Sequence, residues 1–131
     1  MGTPRVLILD SIDETAAMLA AALAYQGIDA VAANTMPEAL DLAERVRPDV
    51  VVLDLDMRDG DVATLCRAIR ARPWAALTRF VALTGWADLQ HVELAQACKF
   101  DHYLLKPASL DVVISALSWR EAIKSGPESR W

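Results

Sequence analysis

Four short apolar runs, each closed by a single polar residue, constrain this chain more than any other feature. Val6-Leu7-Ile8-Leu9 ends in Asp10, Val50-Val51-Val52-Leu53 in Asp54, Phe80-Val81-Ala82-Leu83 in Thr84, and Tyr103-Leu104-Leu105 in Lys106. Runs of this length, rich in aliphatic and β-branched residues and without polar alternation, read as parallel strands covered on both faces. In an open α/β sheet ligands bind outside the carboxyl ends of the strands. Two carboxylates, a hydroxyl and an ammonium are therefore expected to converge on one small crevice, a set suited to a divalent cation together with a phosphoryl group.

The segments between the runs carry helix signals. Thr15 to Gln26 reads as a helix stopped by Gly27, and Ile28 to Ala32 as a short second strand. Thr35 and Glu38 have capping-box spacing and open a helix to about Arg45, after which Pro48-Asp49 introduces the strand at Val50. Asp61 can cap a helix to about Ala71, Arg79 to Leu83 is a strand, and a helix from about Asp88 to Cys98 precedes the strand His102 to Leu105. Ser109 can cap a last helix whose apolar stripe holds Val112, Val113, Ala116, Leu117 and Ile123. Five strands alternating with five helices, joined by right-handed crossovers, predict an α/β fold: a doubly wound parallel sheet in a three-layer sandwich. The 131 residues allow one domain, taken as 1–123, and the end from 124 to 131, with Gly126, Pro127 and Ser129, reads as a flexible tail.

Charge and residue usage narrow the function classes. A net charge of −5 lacks the basic patch that nucleic acid requires, so no nucleic-acid partner is expected. No stretch approaches the roughly 18 apolar residues of a membrane span, and Met1 to Arg5 leads directly into a strand, so the expectation is a cytoplasmic protein with no membrane partner. Cys66 and Cys98, in predicted helices without CxxC spacing, read as free thiols. His91 and His102 read as surface residues, since neither has a second ligand at metal spacing. The first helix presents a mostly alanine outer face, which is either strong helix propensity alone or a small-residue docking face.

Taken together and in order, Asp10, Asp54, Thr84 and Lys106-Pro107 resemble the receiver domains of two-component response regulators, over residues 5 to about 123. The resemblance implies a flavodoxin-like sheet of order 2-1-3-4-5 and a phosphoacceptor that assists its own phosphorylation, not an enzyme in the ordinary sense. It implies that Asp54 accepts a phosphoryl group from a histidine kinase or phosphotransfer protein, that Thr84 is the switch hydroxyl, and that Lys106 precedes a cis proline, Pro107. Tyr103 matches the aromatic residue of the switch, and Trp86, two residues past Thr84, is placed to cover the site or to meet a partner. Mg²⁺ is the implied cofactor, held by Asp10, Asp54 and the backbone carbonyl of Asp56. The output partner is unidentified, and a homodimer is allowed.

The chain departs from the family pattern in ways that bear on chemistry. Ser11 stands where the second acidic residue after strand 1 ligates Mg²⁺, so its contribution is expected to be weak or water-mediated. Asp56, Asp13 or Glu14 are candidates to compensate. Arg58 replaces the family's proline after Met57, Val62 its glycine after the next acidic residue, and Lys99 the glycine that usually ends the helix before strand 5. A competing reading is a degenerate receiver that acts as an interaction module without phosphorylation. From another class, Asp54-Leu55-Asp56 resembles the DxD of haloacid-dehalogenase-type phosphohydrolases, but Met57-Arg58 follows it where that family has Gly-Thr. The acidic, glycine-free Ser11-Ile12-Asp13-Glu14 loop is a poor phosphate cradle for a flavodoxin.

Overall fold

The computed structural model describes residues 4–10, 13–55, 62–85, 93, 98–106 and 110–117. Five strands, β1 (Arg5–Leu9), β2 (Asp29–Ala33), β3 (Val50–Asp54), β4 (Arg79–Thr84) and β5 (His102–Leu105), form one parallel sheet in the order β2-β1-β3-β4-β5. The four helices among the described residues are α1 (Asp13–Tyr25), α2 (Met36–Val46), α3 (Val62–Arg70) and α4 (Leu110–Leu117). The doubly wound order expected of the sequence is thus present. The chain steps from β1 outward to β2, returns to β3 on the other side of β1, and continues to β5, so the direction of winding reverses between β1 and β3. That reversal opens a crevice at the carboxyl ends of these two strands.

The apolar runs lack alternation because both faces of the sheet are covered. Along β1 and β3, Leu7, Leu9, Val51 and Leu53 join Phe80 and Ala82 in a core under α2 and α3 that also holds Ala39, Ala43, Leu65 and Ile69. The residues between them, Val6, Ile8, Val50 and Val52, join Val81 and Leu83 under α1 and α4, with Ala16, Leu23, Val113 and Ala116. Every residue of β3 is buried, which fixes Asp54 at the rim of a rigid element.

Helix ends follow local chemistry. Gly27, at φ 85°, stops α1 in a conformation that costs glycine little. Thr35 caps α2, its Oγ1 accepting from Glu38 N–H at 3.3 Å, but the returning Glu38 carboxylate accepts from Asn34 N–H at 2.9 Å, one residue earlier than in the expected capping box. The entry to β5 is held by side chains: Arg70 Nη2 donates to the carbonyls of Cys98 and Lys99 at 2.7 and 2.8 Å while its guanidinium lies 4.2 Å from the Phe80 ring centroid. Asp101 accepts from Phe80 N–H at 2.8 Å and returns its own N–H to the Phe80 carbonyl at 2.7 Å. Lys99, where the resemblance implies a glycine, takes φ 58°.

Several expectations need correction. His102 is not a surface residue; it is 3% exposed, because it lies opposite Val81 in the β4–β5 ladder and placement in the sheet outweighs its polarity. Val112 is 45% exposed and falls off the buried stripe of α4, which consists of Val113, Ala116 and Leu117. Cys98 is in the turn before β5 and not in a helix, although it and Cys66 are both free and buried as thiols. A short 3₁₀ turn at Pro73–Ala75, unanticipated from the sequence, precedes β4. The proposed caps Asp61 and Ser109, Arg58, His91, Ile123, the tail and all of the helix expected over 88–98 except Glu93 and Cys98 lie outside the described residues. Among the described residues no helix is long and apolar enough to cross a membrane.

Candidate functional site

Each polar residue that closes an apolar run is carried to the same end of the sheet by its strand. Asp54 ends β3 and Thr84 ends β4, while Asp10 and Lys106 come one residue after β1 and β5. Asp10 and Asp54 are each 1% exposed and Thr84 is fully buried, so hydrophobic strands have drawn two carboxylates and a hydroxyl out of bulk water. Lys106 is drawn in behind them by a main-chain bond, its N–H donating to the Thr84 carbonyl at 2.7 Å. From there Nζ reaches Asp54 Oδ1 at 3.1 Å and Asp10 Oδ2 at 3.7 Å. The structure therefore brings Asp10, Asp54, Thr84 and Lys106 together at strand ends, as the sequence pattern requires.

The electrostatics of this group are unbalanced. Among the described side chains two buried carboxylates face one ammonium, and holding like charges together out of water is costly. A hard divalent cation with oxygen preference fits such a donor set, since the carboxylates come from adjacent strands and share one crevice. Asp10 and Asp54 are the described side chains able to hold it; among the described residues no third His, Cys, Asp or Glu completes a metal-binding cluster. Ser11, Asp56, Trp86 and Pro107 lie outside the described residues, as does the side chain of Asp13. Tyr103, on β5, is half-buried against the core beneath α2 and α3.

One contact at the site was not anticipated from the sequence. Asn34 Nδ2 donates to the Asp10 carbonyl at 3.2 Å, while Asp10 N–H donates to the Ala33 carbonyl at 3.1 Å. The only sequence signal was the place of Asn34, a side chain with two N–H donors directly after a strand that pairs with β1. The first helix does present the outer face read from its sequence: Ala17, Ala21 and Ala24 are exposed, as are Met18 at 71% and Tyr25 at 89%.

Comparison with known proteins agrees with this geometry. Residues 6–118 match the family model for the response regulator receiver domain. The regulatory protein AtoC of Escherichia coli K12 is 32% identical over 107 residues, which make up 82% of this chain and 23% of AtoC. The chain spans less than half the length of the curated relatives it matches, from 23% to 45%. Among solved structures, the chemotaxis protein CheY4 of Vibrio cholerae superposes with a TM-score of 0.83 at 22% identity, covering 90% of this chain and 98% of that one, a likeness of fold. A response regulator protein from Burkholderia pseudomallei, solved with a phosphorylated aspartic acid, a calcium ion and citrate, superposes with a TM-score of 0.77 at 25% identity, covering 92% of this chain and 72% of that one.

Proposed function

The chain belongs to the response regulator receiver domain family, and from that premise we propose that Asp54 is its phosphoacceptor, serving a two-component or phosphorelay pathway. The observation that carries the assignment is the 3.1 Å contact of Lys106 Nζ with Asp54 Oδ1 at a fully buried strand end. In this reading the Asp54 carboxylate oxygen attacks the phosphorus of a phosphohistidine on a kinase or phosphotransfer protein. A P–O bond forms, the P–N bond breaks, and the imidazole leaves. Lys106 offers an ammonium to a phosphoryl oxygen once Asp54 no longer neutralises it, and the Thr84 hydroxyl donates to another. Asp10 and Asp54, with the Asp56 carbonyl, would hold Mg²⁺, which when bound supplies the positive charge that lets an anionic nucleophile approach an anionic donor.

The phosphorylated product adds roughly −1.5 to −2 charge next to Thr84, by analogy with phosphorylated hydroxyls, enough to reorder the chain after β4 and with it Trp86 and Tyr103. Protein surfaces then carry the signal, in the cytoplasm; the net charge of −5 opposes direct nucleic-acid contact by this domain. The exposed Met18, Tyr25 and alanine face of α1 is the proposed meeting place with the phosphodonor protein. A second reading, a receiver that signals without phosphorylation, is favoured by one residue, Ser11 in place of a carboxylate. The two separate in one experiment: incubation with Mg²⁺ and a small-molecule phosphodonor, followed by intact mass. Wild type should gain one phosphate and Asp54→Asn none. Equal labelling of the two overturns the assignment of Asp54, and no labelling of wild type at saturating Mg²⁺ favours the second reading.

A further inference from the structure

The ladders that β1 makes with β2 and β3 both end at Leu9, so Asp10, the next residue, has no paired residue in either strand, and its N–H makes the closing bond to β2. Its backbone is nonetheless tied at two points, and both ties come from the junction of β2 with α2. Asp10 N–H donates to the Ala33 carbonyl at 3.1 Å, and the Asp10 carbonyl accepts from Asn34 Nδ2 at 3.2 Å. Asn34 is itself braced, its N–H held at 2.9 Å by the Glu38 carboxylate in the first turn of α2, and Glu38 N–H is held in turn by Thr35 Oγ1. A chain of hydrogen bonds thus runs from the cap of α2 through Asn34 to the main chain of Asp10, whose carboxylate lies 3.7 Å from Lys106 Nζ.

We propose that Asn34 is a positioning residue for the Asp10 carboxylate, fixing where that oxygen donor can present itself to a divalent cation. The inference rests on the reading of Asp10 as a cation ligand. Ligand geometry must hold within about half an ångström to be productive, and a residue just past its last ladder rung does not obtain that from the sheet alone. Removing the amide takes the Asn34 donor from the Asp10 carbonyl and loosens rotation at the one residue that sets the carboxylate's direction.

The test is Mg²⁺ titration of the unphosphorylated full chain by calorimetry, with the metal-free thermal midpoint and the phosphorylation rate measured alongside. Asn34→Ala should weaken Mg²⁺ binding by about three- to tenfold, the lower end of what losing a ligand's supporting hydrogen bond costs, and slow phosphorylation at low Mg²⁺ but not at saturation. Asn34→His, whose Nδ1 lies the same number of bonds from the backbone as the asparagine amide nitrogen, should recover most of the affinity. A purely structural role would lower the thermal midpoint without this metal dependence. Wild-type Mg²⁺ affinity in Asn34→Ala, or no recovery in Asn34→His, overturns the proposal. Asn34→Ser, with a hydroxyl one bond short, replaces the alanine variant if that variant does not fold, and unchanged affinity there is equally decisive. Asp10→Asn is the control for the underlying reading: if it binds Mg²⁺ as wild type does, Asp10 is no ligand, and it is the site assignment that fails.

Discussion

Lys106→Met is the substitution that most directly tests the charge arrangement at the strand ends, because it removes one positive charge and keeps most of the side chain's bulk. At an effective dielectric of about 20, Nζ attracts Asp54 Oδ1 at 3.1 Å by about 5 kcal/mol and Asp10 Oδ2 at 3.7 Å by a little over 4 kcal/mol. Desolvation opposes both, so the net cost of breaking such a buried group by removing one partner is smaller, about 3–5 kcal/mol. Urea unfolding of the metal-free variant near neutral pH should show a loss of that size.

Cation binding and phosphorylation should then move in opposite directions. Without the competing ammonium, Mg²⁺ should bind the variant more tightly, on the order of tenfold or about 1.4 kcal/mol, and should therefore restore more stability to the variant than to wild type. Phosphorylation should nevertheless slow, because a phosphoryl oxygen has lost its cationic partner. Calorimetric titration and intact-mass time courses give the two signs separately. Unchanged or weaker Mg²⁺ binding in Lys106→Met would refute the view that the lysine holds both carboxylates in the absence of metal.

Other residues give independent tests. Ser11→Asp introduces an anionic oxygen donor next to Asp10 in the sequence and, if Asp10 holds the cation as proposed, should raise Mg²⁺ affinity and phosphorylation rate about tenfold; no gain in titration would mean that another group already fills that ligand position. Lys99→Gly should stabilise the protein by about 1 kcal/mol in urea unfolding, since a left-handed backbone at φ 58° burdens a residue with a Cβ but not glycine. Burial, with Cys98 alongside, pushes the Cys66 thiol from 9.0 up to about 12. The unfolded chain therefore ionises this thiol first, so stability should be undiminished below about pH 9 and fall as pH rises toward 12, and Cys66→Ala should flatten that decline when unfolding midpoints are compared at about pH 8 and about pH 10. The same burial should protect Cys66 from alkylation until the protein unfolds.

The strands and the site were legible in the sequence for one physical reason. A strand covered on both faces tolerates no polar residue until it leaves the core, so in Val50-Val51-Val52-Leu53 successive side chains enter opposite cores and the first polar one, Asp54, marks the rim. The same logic placed Thr84, and it placed Asp10 and Lys106 one step beyond their strands. What it could not read were relations between segments distant in the chain. His102 is buried because β4 lies beside it, Lys99 tolerates a left-handed backbone in a turn whose carbonyls Arg70 holds from α3, and Val112 is exposed because the neighbours of α4 cover a narrower stripe than its sequence offers. Asn34 belongs to this second kind. Its local signal, a polar residue ahead of a capped helix, describes how α2 begins, whereas its bond to Asp10 exists only because β2 pairs with β1 in a register that ends at Leu9 and Ala33. The charges of this site can therefore be found strand by strand, while the bonds that aim them depend on the register between strands.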